Sequence, residues 1–554
     1  LCCYSRWTVI ITMHRWDYWE MNLKQGDKME SFSLLTEHWL PVVTRSGQTK
    51  KMSPQQLADD DIVDLAYPRP DLQGGAYQFL IGLLQTAYAP EDEDDWQDVW
   101  HEGLEGTAWR QALEAIAPAM QFGPQKPAFL QDFSTLESEN SSISGLLVDS
   151  PGGNTLKLNK DHFIKRDSYQ RFCPHCTAMA LFTVQTNSPA AGAGFRTSMR
   201  GGGPMTTLVM PQNHNFPLWK KLWLNVLSQE QRPSLAELPL IFPWLAPTRS
   251  SEKAGNSVTP ENAHSLQAYW GMPRRVEIDF THTEAGNCDL CGEHHSALLT
   301  QIRNKNYGVQ YEGWLHPLSP YRQAVKAGSP LLSLKGQPGG LAYKDWLGLA
   351  LGGEDKFNRT VPAEVVRAQS YRRFSPAEPF YLWCFGFDMD NAKARCWYEH
   401  RLPSLAIDKA VQSQFTNVVE LVVALATGSL SLLKSALKEA WFETPKEAKG
   451  DFSALDIAYW QETEAEFRTL WSCLAQELPE ESATVRTALR KWESALHQYL
   501  FVTFDRLALN NPDDNQALLR ILTARRLLDK NYTKQKVLKD VKTLMAERKE
   551  VQGA

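Results

Sequence analysis

Two Cys-x-x-Cys pairs, Cys173-Pro174-His175-Cys176 and Cys288-Asp289-Leu290-Cys291, restrict the fold of this chain more than any other feature. Four thiolates delivered by two tight turns make the tetrahedral sulfur site that zinc prefers. Gly292, directly after the second pair, suits a knuckle turn. In zinc ribbons about 15–20 residues separate the pairs, whereas 111 intervene between Cys176 and Cys288. If one ion holds both pairs, a large insertion must fold so that its two ends meet. Two other readings stay open on the residues alone. Cys-Pro-His-Cys has the spacing of a disulfide oxidoreductase centre, whose attacking thiol is acidified at a helix N-terminus, but Cys288 and Cys291 then have no role. Alternatively, all four are reduced core cysteines. The total of nine cysteines is odd, which argues against a secreted disulfide framework and for a reducing, cytoplasmic compartment.

At 554 residues the chain needs more than one domain. Residues 71–88 carry Leu72, Ala76, Phe79, Leu83 and Ala87 at helical spacing behind the Pro68–Pro70 breaker, which predicts an amphipathic helix. Strand-like pieces follow at 206–210, 276–280, 307–311 and 380–387, joined by Gly/Pro/Ser/Asn-rich connections such as 186–204 and 246–262. After Pro403 the pattern turns helical. Segments 408–442, 453–476, 481–509 and 512–548 repeat apolar residues every three or four positions, the last with Asn511 and Pro512 as its start signal. The fold class expected is therefore α+β. A mixed N-terminal domain over 29–404 carries the zinc knuckle, and an all-α four-helix bundle follows over 405–554. Residues 1–28 read as upstream sequence or a non-native extension, with Met29 or Met21 the natural beginning. No stretch approaches 18 uninterrupted apolar residues, so no membrane span is expected.

A formal net charge of −6 excludes a uniformly basic nucleic-acid binder but leaves room for local basic loops. One such loop runs from Gly192-Ala193-Gly194 through Arg196 and Arg200 to Gly201-Gly202-Gly203. Its glycines would let backbone N–H groups approach a ligand, and its arginines could hold phosphate. It is neither a P-loop nor a dinucleotide fingerprint, since the spacing fails both. Two hairpins expose polar tips, Arg303-Asn304-Lys305-Asn306 and Asp388-Met389-Asp390-Asn391. Asn and Asp also serve ordinary turns, so the tips alone do not decide. Between Lys157 and Arg171, the basic residues Lys160, Lys165 and Arg166 alternate with Phe163 and Tyr169, a composition that suits a nucleic-acid surface. His-Glu-x-x-His, Gly-x-Ser-x-Gly and Walker motifs are missing.

The block Cys-x-x-Cys-Thr-Ala-Met-Ala-Leu-Phe (173–182), continuing to Met-Arg-Gly-Gly-Gly-Pro-Met-Thr-Thr (199–207), resembles the CasA family. CasA is the large subunit of the type I-E CRISPR Cascade surveillance complex. Leu34–Val42, Thr86–Pro90 and Gly313–Pro320 support the resemblance, which spans about residue 32 to the end. It implies a non-catalytic subunit that recognises the protospacer-adjacent motif on double-stranded DNA, helps open the duplex for guide RNA pairing and recruits a helicase–nuclease. Its implied partners are the other Cascade protein subunits and the guide RNA. Residue by residue, the family's zinc ligands fall on Cys173, Cys176, Cys288 and Cys291. Its minor-groove glycine loop falls on Gly192–Gly194, with Ala193 where the family has glycine. Its lysine finger falls on Asn306, with Lys305 beside it, and its duplex wedge falls on Asp390 and Asn391. These three elements are expected to lie together, with Arg196, Arg200 and the 157–171 segment holding phosphates.

Overall fold

Proline at position 70 starts a helix over Pro70–Ala87, as the breaker predicts, but the helix is buried almost all round rather than on one face. Asp71, Gly74, Gly75, Gln78 and Gly82 are covered as well as the apolar positions, the signature of a central helix. Gly75 and Gly82 allow this, because a side chain at either would run into Thr183 or Trp270. The computed structural model describes residues 29–546 apart from 159–165, 191, 254, 327, 337–339, 355–356, 371, 373–378, 391–392, 405–408, 448–449, 479–481 and 510–514. The expected extension 1–28, Lys160, Phe163, Lys165, Asn391 and the Asn511–Pro512 start signal lie outside the described residues.

The chain forms two compact units. One holds residues up to 202 and 217–314; the other holds 203–216 and 315 onward. In the first, the central helix packs against Pro174–Asn187. Around it sit Phe79, Phe129, Phe182, Phe242, Trp244 and Trp270 in a chain of edge-on and tilted ring contacts. Such pairs each add about 0.5–1.5 kcal/mol beyond area burial. A three-stranded antiparallel sheet places Gln301–Lys305 between Asn140–Ser142 and Arg275–Ile278. A separate hairpin, Thr283–Asn287 with His294–Leu299, carries the second cysteine pair at its turn.

In the second unit, Phe380–Asp390 pairs antiparallel with both Lys393–Ser404 and Thr206–Pro211. A four-stranded sheet runs in the order Leu331–Ser333, Tyr321–Ala324, Asn358–Val361, Gly353–Glu354. Helices follow over Lys409–Trp441, Ser453–Glu462, Glu464–Leu474, Ala483–Ala508, Asn515–Lys534 and Lys536–Met545. Trp460, Trp471 and Trp492 are buried among them, as the spacing predicts. Two of the four expected segments are each broken once. One breaks at Thr463, with φ −96° and ψ −3°, and the other at Gln535, which takes an extended backbone with φ −57° and ψ 128°.

The boundary expected at 404/405 does not separate the two units. Tyr343 stacks on Phe467 with ring centroids 4.2 Å apart, and Trp346 packs edge-on against Phe415 and Trp471. The residues preceding the helices thus share their core. Ser413–Trp441 has the length and apolarity to cross a bilayer, yet its Phe415, Val422, Leu425, Leu433 and Leu437 are buried, and its helix packs against the later helices Ala483–Ala508, Asn515–Lys534 and Lys536–Met545.

Candidate functional site

Cys173 caps the helix Pro174–Asn187, its sulfur accepting from the Cys176 N–H at 3.4 Å, with proline at the first helical position. That cap turns both sulfurs of the first pair the same way. The second pair closes on itself through the Gly292 N–H to the Cys288 carbonyl at 2.8 Å, with Gly292 at φ +77°, where side chains are strained. The two pairs meet. Phe172 and Leu299 exchange backbone hydrogen bonds at 2.9 and 2.8 Å, and the Cys173 N–H donates to Cys288 Sγ at 3.2 Å. The Asp289 carboxylate accepts from the Gln170 and Arg171 N–H groups at 2.7 and 3.0 Å, stitching the turn to the segment before Cys173.

All four sulfurs lie within 4.8 Å of one another. A Zn–S bond of about 2.3 Å puts tetrahedral sulfurs roughly 3.8 Å apart, and Cys173 Sγ stands 3.9 Å from Cys291 Sγ. The donor set therefore fits a closed structural metal site. Hydrogen bonding with Cys173 holds the Cys288 and Cys291 thiols below their ordinary range and pushes Cys176 above it. Such a cluster requires a cation before all four can be thiolates. Burial works against the Lys51 ammonium, but its bond to Glu293 and the charge on Cys173 and Cys291 outweigh burial and raise its pKa. Glu293 and His295 also approach Cys291, but Glu293 is already paired with Lys51. The redox reading needs a parallel βαβ unit at residue 173. Here Phe172 instead bridges antiparallel to Leu299, and all four cysteines share one cluster.

From the cysteines, two stretches of chain lead to a second meeting point. The helix Pro174–Asn187 spans about 21 Å at 1.5 Å per residue and delivers Gly192–Gly194. The other stretch runs through His294–Leu299 and Gln301–Lys305 to Asn306 and Tyr307. There Asn306 Nδ2 donates to the Ala193 carbonyl and the Tyr307 N–H donates to the Gly194 carbonyl, both at 2.7 Å. Gly194, at φ +80°, is strained for any side chain, and a Cβ would sit tightly, 3.0 Å from Asn306 Cβ and 3.2 Å from the Tyr307 ring. Gly192, at φ +55°, is required by its backbone conformation alone. Ala193 and Lys305 are exposed.

The other expected residues go elsewhere. Arg196 donates to Ser251 Oγ at 2.7 Å and to the Ser251 carbonyl at 3.3 Å, and Ser251 Oγ donates to the Gly308 carbonyl. Arg196 thus braces the loop from behind. Arg200 does not face solvent. It is 6% exposed and donates to Gln78 Oε1 at 2.6 Å on the central helix, so it is unavailable to a phosphate. Replacing Arg200 with Ala should destabilise the first unit by about 2–4 kcal/mol, because Gln78 would stay buried without this partner beside a cavity. Thermal melting checks this. Asp390 ends the strand Phe380–Asp390 in the second unit, exposed, while Asp388 behind it is buried and paired with Arg395 at 2.7 Å. The structure therefore brings together Gly192–Gly194 and Lys305–Asn306. In the 157–171 segment, Arg171 faces Asp289 and Glu284.

Sequence reasoning passed over Tyr307 and Arg274. Arg274 donates to the Pro189 carbonyl and lies 5.0 Å over the Phe195 ring; burial lowers its pKa to about 10. Neither residue sits in a motif, since only the folded strands bring them to the loop.

The model of the family described as CRISPR-associated protein Cse1 matches residues 33–502. Among solved structures, Thermus thermophilus CasA (Cse1) is 16% identical, with 90% of this chain and 100% of that one covered and a TM-score of 0.61. Thermobifida fusca Cse1 is 16% identical, covering 93% and 99%, with a TM-score of 0.64. A chain of a CRISPR RNA-guided surveillance complex is 15% identical, covering 90% and 100%, with a TM-score of 0.65.

Proposed function

The chain belongs to the CRISPR-associated Cse1 family, and we propose that it is the non-catalytic large subunit of a cytoplasmic type I-E Cascade. In this role it recognises the protospacer-adjacent motif on double-stranded DNA from the minor groove. It then helps open the duplex for guide RNA pairing and recruits a helicase–nuclease. The observation that carries this reading is the junction of Gly192–Gly194 with Lys305–Tyr307, an exposed backbone loop braced by a second strand tip. A groove floor about 6 Å wide admits backbone more readily than side chains, and its acceptors distinguish A·T from G·C only coarsely. Recognition is accordingly permissive.

The departures from the family pattern redistribute roles. The Asn306 amide is engaged by the Ala193 carbonyl, so it holds the loop, and Lys305 becomes the donor nearest the groove. Asp390 and Asn391 act as the wedge. The four cysteines hold a structural zinc that supplies rigidity and no chemistry. The helices after residue 405 form a bundle whose faces serve the other Cascade subunits.

In the assembled complex, Ala193→Trp should reduce binding of motif-bearing duplex about a hundredfold, some 2.7 kcal/mol, while leaving assembly intact. Binding to duplexes randomised at the motif, read by electrophoretic mobility shift, would measure it. Unaltered selection from the random pool would sink the minor-groove reading.

A further inference from the structure

We propose that Tyr307 is a DNA-contacting side chain whose ring packs on the deoxyribose edge of the minor groove beside the glycine loop. The inference rests on the minor-groove reading above and adds a residue to it. Tyr307 is one of three described non-glycine residues with positive φ, at +58°. A bulky aromatic in the left-handed region carries backbone strain, and strain of this kind persists where the surroundings over-determine it, often at functional sites. Here the surroundings do so from both sides. The Tyr307 N–H is tied to the Gly194 carbonyl at 2.7 Å, and its carbonyl accepts from the Ser251 N–H at 3.2 Å.

The strained backbone does not bury the ring. Tyr307 is 41% exposed, a large apolar surface for a residue held so firmly. One edge of the ring lies against Gly194, close enough that any Cβ there would touch it. The exposed part of the ring shares this junction with Ala193 and Lys305, which are exposed as well. A flat, rigid ring beside a backbone loop suits the apolar sugar edges that line a minor groove, and its hydroxyl can still donate to a groove acceptor. Sugar contact carries no base information. The ring therefore adds affinity evenly across motifs, while the loop and Lys305 discriminate among them.

The test uses the assembled complex with guide RNA and a pool of duplexes randomised at the motif. Tyr307→Gly removes the ring and relieves the backbone strain together; a tyrosine that only packed against Gly194 would instead give a variant that melts lower. The expected result is different: melting unchanged or raised, affinity lowered about tenfold for every motif, the scale of one aromatic contact with nucleic acid. The rank order of motifs and the slope of log affinity against log salt should both hold, because no charge is lost. Tyr307→Phe should recover most of the affinity. Wild-type affinity in Tyr307→Gly overturns the proposal, and so does a reordered motif preference. Gly194→Ala separates the two readings. If it impairs binding while Tyr307→Gly does not, the loop reads DNA without the ring. If both bind as the unaltered complex does, the minor-groove reading falls as well.

Discussion

Replacing Cys288 with Ser is expected to release the metal and lower the melting temperature of the first unit by about 10 °C or more. Apparent binding energies at structural zinc sites run to about 10–16 kcal/mol and are coupled to folding. Even a loss of several kcal/mol moves a unit of this size by roughly 2–4 °C per kcal/mol. The cluster shows why Cys288 matters in particular: its sulfur accepts the Cys173 N–H, and its turn is stitched to Gln170 and Arg171 through Asp289. Losing the ligand unpins the point where residues 173 and 288 meet. The helix Pro174–Asn187 and the strands after residue 294 both start at that point and both end at the loop junction. If the proposed function holds, motif-dependent binding falls with the metal as well, although the cysteines lie outside the proposed reading loop. Elemental analysis of the purified chain, with thermal melting, measures the first effect. Cys396→Ser, at an exposed cysteine outside the cluster, should change neither. Full metal retention with unchanged melting would refute the four-cysteine site.

What the amino-acid order reveals here follows how local each determinant is. The start of the helix at Pro70, the two knuckle turns and the helical runs after residue 408 are set by neighbours within a few positions, and all are legible. The closure of 111 residues between the knuckles is legible only as chemistry, because four thiolates name a site without saying how the chain returns to it. Pairing at long range is not legible. Thr206–Pro211 leaves the first unit to pair with Phe380–Phe385, and nothing in its six residues points to a partner that far along the chain. The same holds for Arg200, whose place in a glycine-rich segment suggests a phosphate ligand. Its guanidinium instead reaches Gln78, a polar residue on a helix whose apolar spacing hides that it is buried on every side. The expected hairpin tip at Arg303–Asn306 is not there: Gln301–Lys305 is a strand paired on both sides, Asn306 follows it, and its amide braces the loop because the fold places Ala193 beside it. The breaks at Thr463 and Gln535 are single-residue departures in backbone angle, too slight a signal to read in periodic apolar spacing.

Gly308→Ala should abolish motif-dependent DNA binding in the assembled complex while the chain stays folded. Gly308 does not have a left-handed backbone, so alanine is conformationally allowed there; the obstacle is space. A Cβ would lie 1.9 Å from the Pro273 carbonyl oxygen and 2.9 Å from its carbon. A flexible side chain could swing aside, but a backbone carbonyl just before the strand Arg275–Ile278 cannot, so residue 308 has to move. Its carbonyl accepts from both the Ser251 N–H and Ser251 Oγ, and Ser251 in turn receives Arg196. The displacement thus reaches the glycine loop by two routes, through Arg196 and through the Tyr307–Gly194 bond next door. Overpacking of this kind costs about 1–3 kcal/mol, within the reserve of a domain stabilised by about 5–15 kcal/mol. Folding and assembly should therefore survive. Geometry is less forgiving, because the loop is held by two short bonds at 2.7 Å that the displacement breaks or bends. Gly450→Ala, where a Cβ meets nothing within 4 Å, provides the matched control. Binding by Gly308→Ala equal to that of the control would mean that residues 305–308 do not position the loop proposed to read DNA.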